Sequence, residues 1–391
     1  MYIKQEFYLW RLCYDLVVKH NCDLVFVDEN SSEVWLVKEV RGRKDVVRIV
    51  HKEINWRNEL KRDVEYTQEQ VRKNKHLFQG SRIHFHCVFL SEFPPVDHWE
   101  DIKFESNKRV KELNVYYMDD QEKSKELPEF MNTFQIPVQP YRTDKDEIEY
   151  ERQGQYLKQQ IISIHEKRNR ELQEVFSYGK SIFTFVFILI NLLVFAMMER
   201  VGGSTSAATL IEFGAKYNPE ILKGEWWRII TSMFLHIGIV HLLMNMLALF
   251  YLGIAVEKIY GSYRFVLIFF LAGIFGGTAS FMLNPNIAAG ASGAIFGLFG
   301  ALLYFGLNKK RVFFQTMGYN LLTIIGINLA FGIIVPQIDN GAHVGGLIGG
   351  FIASMMTGLP KQIHLKKRRI FAGLLYGTIM FTMISIGISK G

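Results

Sequence analysis

Two patterns of apolar and polar positions divide the chain near residue 178. Before it, apolar residues come in short bursts. Residues 24–28, 34–40 and 46–51 are β-branched runs separated by polar turns, spaced like hairpin strands, and 83–91 and 115–118 look like further strands. Residues 54–79 are polar, charged and free of strong breakers, which predicts a helix. Pro94-Pro95 and 136–141 read as linkers. Residues 144–178 predict a long charged helix with Ile148, Tyr156, Ile161, Ile162 and Leu172 as its apolar points. The reading is a soluble mixed α/β domain over 1–143, a charged helical linker over 144–178, and no internal repeat.

From Ser181 the charges stop. Residues 181–198 form an uncharged run of 18, about what a ~30 Å hydrocarbon core requires. Residues 229–256 form a second run, and 265–308 a third that Asn284-Pro285-Asn286 breaks into two. Runs over 312–338, 340–360 and 370–389 follow. The pattern predicts a polytopic α-helical membrane domain over 179–391 with seven transmembrane helices.

Charge sharpens this division. Of the 45 Lys+Arg and 38 Asp+Glu, 29 and 32 lie in residues 1–178, and only 16 and 6 lie beyond. One soluble globular protein is therefore excluded, as is a disulfide-rich secreted one. The net charge of +7 comes from short basic loops rather than from a nucleic-acid surface, so no nucleic-acid partner is expected. Lys258 and Arg264 lie between spans 2 and 3, and Lys309-Lys310-Arg311 between 4 and 5. Lys361, Lys366, Lys367, Arg368 and Arg369 lie between 6 and 7. The 3–4 and 5–6 loops have no Lys or Arg. This bias puts the N-terminal domain in the cytoplasm and Gly391 outside, although the 199–228 loop carries four basic residues on the outer side. The first twenty residues do not read as a secretory signal. Cys13, Cys22 and Cys87, odd in number and without metal-site spacing, fit a reducing compartment.

Ionisable groups within apolar spans are functional candidates because lipid makes them costly. Three histidines qualify: His236 and His241 in span 2, and His343 at the start of span 6. No Asp or Glu lies deep in a span, since Glu257 closes span 2 and Asp339 sits in the 5–6 loop; this excludes an aspartyl mechanism. Without HExxH or an accompanying acidic ligand, a zinc site is not expected. Gly290-Ala291-Ser292-Gly293 follows the Asn284–Asn286 break and begins an apolar helix. Ser292 then sits at a helix N-terminus, where free N–H groups and the dipole favour an oxyanion. His343 starts span 6 on the same side. His241 and Asn245, four apart, share a face of span 2. Ser292, His343, His241 and Asn245 can thus converge as a hydrolytic site. The glycines Gly293, Gly297, Gly300, Gly345, Gly346, Gly349 and Gly350 would let spans 4 and 6 pack backbone to backbone.

Over roughly 181–389 the chain resembles the rhomboid family of intramembrane serine proteases. The resemblance rests on Trp227-Arg228, His236 followed by His241-x-x-x-Asn245, Gly290-x-Ser292-Gly293, and Ala342-His343-x-Gly345-Gly346-x-x-x-Gly350. It implies a six-helix core plus one extra C-terminal helix and a Ser292–His343 dyad, with His241 and Asn245 helping to form the oxyanion hole. It also implies that 199–228 is the family's first loop, with Arg228 structural. The soluble N-terminal domain and extra span resemble Gram-positive bacterial members. Those often carry tetratricopeptide repeats after the last span, and this chain reaches Gly391 without them, as a shorter relative or a truncated chain would.

The function expected is cleavage of membrane-protein substrates in the lipid bilayer, without metal or organic cofactor. A non-catalytic relative that binds or escorts membrane clients would have lost Ser292 or His343, and both are present. A transporter would show inverted repeats and charged midplane residues. Asp339, four residues before His343, is expected to be a loop or turn residue rather than a third catalytic group. His84 and His86 alternate on one strand face, followed by His98, Glu100 and Asp101; solvated polar residues are expected there rather than a metal site. The Asp28…Val37-Lys38 run has a faint likeness to a restriction-nuclease core. Leu36 stands where the paired carboxylate should be, so no nuclease activity is expected. The N-terminal domain is left a regulator or ligand as its partner.

Overall fold

The computed structural model describes residues 2–28, 32–40, 43–73, 83–99, 110–118, 123–134, 146–335, 338–360 and 366–390. They fall into two compact units, Met1–Glu171 and Leu172–Gly391.

In the first unit α1 (Tyr2–Tyr14) precedes three antiparallel strands, β1 (Asp23–Asp28), β2 (Glu33–Val40) and β3 (Arg43–His51). Helix α2 (Arg57–Lys73) follows. Then β4 (Ile83–Leu90) pairs parallel to β3, and β5 (Val110–Met118) parallel to β4. Helices α3 (Lys123–Thr133) and α4 (Glu147–Phe176) complete the order. Alternation along the strands supplies both faces of the sheet. Leu36, Val47, Ile49 and Val88 share one core with Leu9 of α1 and with Leu157 and Ile161 of α4. Trp35, Val46, Phe85 and Phe89 share the other with Leu60 and Val64 of α2. On that second face the buried Arg48 clasps Glu33 through two hydrogen bonds (2.9 and 3.0 Å) and also bonds Asp63 and Thr67 of α2. A charge taken out of water is tolerable only with such partners.

The expected 144–178 linker is divided between the units. Tyr150, Leu157 and Ile161 bury against the first core, with the Tyr150 ring 5.2 Å from that of Phe7. Val175 and Phe176 pack on the second unit's core.

The second unit begins with α5 (Ile182–Val201). Three short helices follow in the loop region: α6 (Ala207–Glu212), α7 (Asn218–Leu222) and α8 (Arg228–Thr231). Then come α9 (Ile239–Tyr260), α10 (Ser262–Leu283), α11 (Ser292–Asn308), α12 (Lys310–Thr316), α13 (Gly318–Ile334), α14 (Asn340–Thr357) and α15 (Lys366–Lys390). Each of the seven apolar stretches carries a helix. Among the described residues, α5, α9, α10 and α15 are long and apolar enough to cross a membrane, and α12 with α13 adds a fifth if the pair, bent by 72°, is one span. The uniform run over 312–338 hid this bend. Helices α11 and α14 are shorter, at 17 and 18 residues. The second run starts as helix ten residues later than its lack of charge suggested. Residues 229–238 form α8, a 3₁₀ turn and a bend at Gly238 (φ 77°), so His236 lies before α9 rather than within it.

Packing follows side-chain size. On α9, Leu242, Met246 and Leu249 enter the core while Val240, Leu243, Met244 and Leu247 are exposed, as expected of a helix with one face toward lipid. Glycines bring α10, α11 and α14 closest. A Cβ on Gly346 would fall on the Gly293 carbonyl oxygen, and one on Gly350 on that of Gly297. The backbone of α14 therefore lies directly against that of α11.

Candidate active site

Ser292 is the first residue of α11, immediately after the loop that crosses from α10. That loop is held at several points. Ala288 exchanges two backbone hydrogen bonds with Lys216 (3.0 Å each), and Gly290 N donates to Ser232 O (2.9 Å). The Ala291 N–H points at His236 Nε2 at 3.5 Å. His236 is fully buried, so this histidine braces the loop from below, a role its place in the sequence motif did not reveal.

Gly290 brings the nucleophile loop against His241. Its φ of 143° favours glycine, and a Cβ there would lie 3.0 Å from His241 Nε2 and 3.7 Å from Ser292 Oγ. A side chain at 290 would collide with the His241 ring, 2.8 Å from its Cε1, so glycine lets the loop pack the ring, the Ser292 hydroxyl and the start of α11 close together. A ring N–H and helix-start N–H groups gathered in this way can donate to a carbonyl oxygen as it gains charge.

His343 lies in the first turn of α14, and its ring stacks on Phe296 with centroids 4.1 Å apart and planes 11° apart. Phe296 is four residues, about one turn, after Ser292, so the imidazole covers the turn of α11 that Ser292 begins. Its Nδ1 has no hydrogen-bond partner. Close approach of the two helices through Gly293 and Gly346 makes this stacking possible.

Asn245 is buried, but its Nδ2 donates to the carbonyl of His241 in the preceding turn at 2.9 Å. One of its two N–H groups is therefore spent on its own helix. Arg228 lies away from this cluster. It is buried, bonds Ile211 O (2.6 Å) and Glu225 (2.6 Å), and lies 4.8 Å from the Trp227 ring centre. These contacts tie α8 to the loop before it. Gly345 faces α10, where a Cβ would meet the Gly276 Cα at 3.2 Å.

Asp339 is not a simple loop residue. It is the N-cap of α14, with Oδ1 accepting from Ala342 N at 2.9 Å, while Oδ2 accepts from Ser280 and from Asn284 Nδ2 (2.9 Å). Behind Ser292 is a cavity of ≈40 Å³ whose lining includes Lys216, Ser232, Ser280, Ser292 and Asp339. That is room for a few water molecules. Sequence reading did not select Lys216, Ser280 or Asn284, because nothing local distinguishes them from other loop or helix polar residues.

In the first unit His86 is not solvated. It is buried on β4, with its ring 5.0 Å from that of Phe134 and 6.1 Å from that of Tyr116. Glu100 and Asp101 lie outside the described residues, and among those described no group of three or more His, Cys, Asp or Glu could hold a metal. The cysteines are buried and free; burial pushes the Cys22 and Cys87 thiols up to about 12, which makes them poor nucleophiles.

A family model described as the Rhomboid domain matches residues 223–360. The Rhomboid protease GluP of Bacillus subtilis (strain 168) is 40% identical over 350 residues, covering 88% of this chain and 68% of its own length. The putative rhomboid protease YdcA of the same organism is 37% identical over 148 residues, 37% of this chain and 74% of its own length. RHOMBOID-like protein 6, mitochondrial, of Arabidopsis thaliana is 42% identical over 162 residues, 40% of this chain and 52% of its own length.

Proposed function

The chain belongs to the rhomboid family and is a multi-pass intramembrane serine protease acting on membrane-protein substrates, and from that premise we propose that Ser292 is its nucleophile and His343 its general base. The carrying observation is the packing of the Gly290 backbone against the His241 ring beside Ser292 Oγ, with the His343 ring stacked one turn further along the serine's helix.

In this mechanism His343 takes the Ser292 proton as Oγ attacks the scissile carbonyl carbon. The new oxyanion receives hydrogen bonds from His241 Nε2–H and from N–H groups at the start of α11, with Asn245 assisting. His343 then protonates the leaving amine. Water attacks the acyl-enzyme, giving a proton to His343, and Ser292 is restored. The bonds cut lie in or next to transmembrane segments. The basic loops support an orientation with the N-terminal unit in the cytoplasm and Gly391 outside, so that water enters from the outer face. The soluble domain over 1–143 has a regulatory or client-selecting role in this reading, since no dyad residue lies within it.

The test is cleavage of a single-pass substrate by the purified protein in proteoliposomes. Ser292→Ala and His343→Ala should insert and fold but cut nothing detectable, because nucleophile and base act as a unit. Normal cleavage by either variant would remove the dyad.

A further inference from the structure

We propose that Asp339 and Lys216 are positioning residues that hold the base-bearing helix and the nucleophile loop at a fixed separation. This deepens the dyad reading and rests on it.

The His343 ring needs such a device. Stacking on Phe296 fixes its plane but lets it slide, and its Nδ1 has no partner to stop it. Its position is therefore set by the backbone at the start of α14. Asp339 anchors that backbone: its carbonyl accepts from His343 N (3.1 Å) and its Oδ1 from Ala342 N (2.9 Å). Capping needs only one side-chain oxygen, which Ser or Thr would also supply. The other oxygen, Oδ2, has different partners, the Ser280 hydroxyl and Asn284 Nδ2, at the end of α10.

Asn284 begins the turn that leads to the nucleophile. Its carbonyl and that of Asn286 (3.0 Å) both accept from Lys216 Nζ. Lys216 is 1% exposed, and its backbone pairs both ways with Ala288, two residues before Gly290. A buried ammonium is costly without close acceptors, so its position is restrictive. The hydrogen-bonded path from His343 through Asp339, Asn284 and Lys216 to Ala288 thus closes around the cavity that Ser292 lines. Loosening either charged residue would let serine and imidazole drift apart, and misplacement by about 1 Å can cost about 100-fold in rate.

The experiment uses the full chain in proteoliposomes with two readouts, steady-state cleavage of a transmembrane substrate and the rate at which a fluorophosphonate labels Ser292. Asp339→Ser keeps the cap but cannot reach Ser280 and Asn284. It should lower kcat and the labelling rate about 10-fold to 100-fold with KM unchanged. Asp339→Asn, which preserves shape, should recover part of the loss. Lys216→Met should act in the same direction, and the double variant should lose less than the product of the single effects, as a shared network requires. Ser280→Ala, a milder cut in the same path, serves if Asp339→Ser fails to fold, and should reduce labelling severalfold. A lowered melting temperature with normal kcat and labelling in either variant would make Asp339 a helix cap only and overturn the proposal. Unchanged labelling of Ser292→Ala would instead refute the dyad itself.

Discussion

At the residue scale the site depends on glycine at 290, where a side chain would strike the His241 ring. The His241 ring packs against the Gly290 backbone beside Ser292, whereas Asn245 has already committed one N–H to the carbonyl of His241. The two residues should therefore contribute unequally, although the sequence spacing treats them alike. Loss of one oxyanion donor costs roughly 10²–10³ in kcat. His241→Ala is expected to fall in that range with little change in KM. Asn245→Ala should lose less than His241→Ala and retain more activity than Ser292→Ala. Measuring kcat, KM and melting temperature on the same detergent-purified samples tests this, and a melting shift without a turnover defect would make His241 interhelical glue. The residue types were legible in the sequence. Which donor points at the serine was not, because orientation depends on bonds that Asn245 can also make within its own helix.

At the element scale, contact between α11 and α14 carries the active site. Gly346 meets the Gly293 carbonyl, and Gly350 the carbonyl of Gly297, so any side chain would push the helices apart. Gly346→Leu should destabilise the protein by roughly 3 kcal/mol, the upper end of overpacking penalties. It should also slow Ser292 labelling in the fraction that stays folded, because the His343 stack on Phe296 would open. Thermal unfolding combined with labelling separates the two effects, and a stability loss with normal labelling would mean that helix separation does not govern the dyad. The glycine spacing announced close packing. It did not announce the 72° bend between α12 and α13 or the late start of α9, because an uncharged run has the same composition whether or not its helix is broken.

At the scale of the whole molecule, the two units differ in what they bury. The first is an α/β fold around a five-stranded sheet, and the second presents large apolar side chains outward along its helices. The basic loops orient the second unit in the proposed topology. A reporter active only outside the cell should work when fused after Gly391 or inserted at 284–286, and fail at Lys310 or Met1. Activity at Lys310 would invert the topology and place Ser292 on the opposite side.

The sequence by itself determined the strands, the apolar helices and the family, because alternation, absence of charge and short motifs are local properties that survive without a fold. Five strand runs lie within the observed strands or overrun them by a single residue, and Ser292 begins a helix as the preceding turn residues required. Only tertiary structure decided how α4 is shared between the units and that His86 is buried. It also decided that His236 supports the nucleophile loop and that Asp339 reaches α10. Each of these is a contact between residues far apart in the chain. Whether a polar side chain faces solvent, caps a helix or holds a loop depends on what the fold brings within about 3 Å of it, and composition and spacing do not encode that distance.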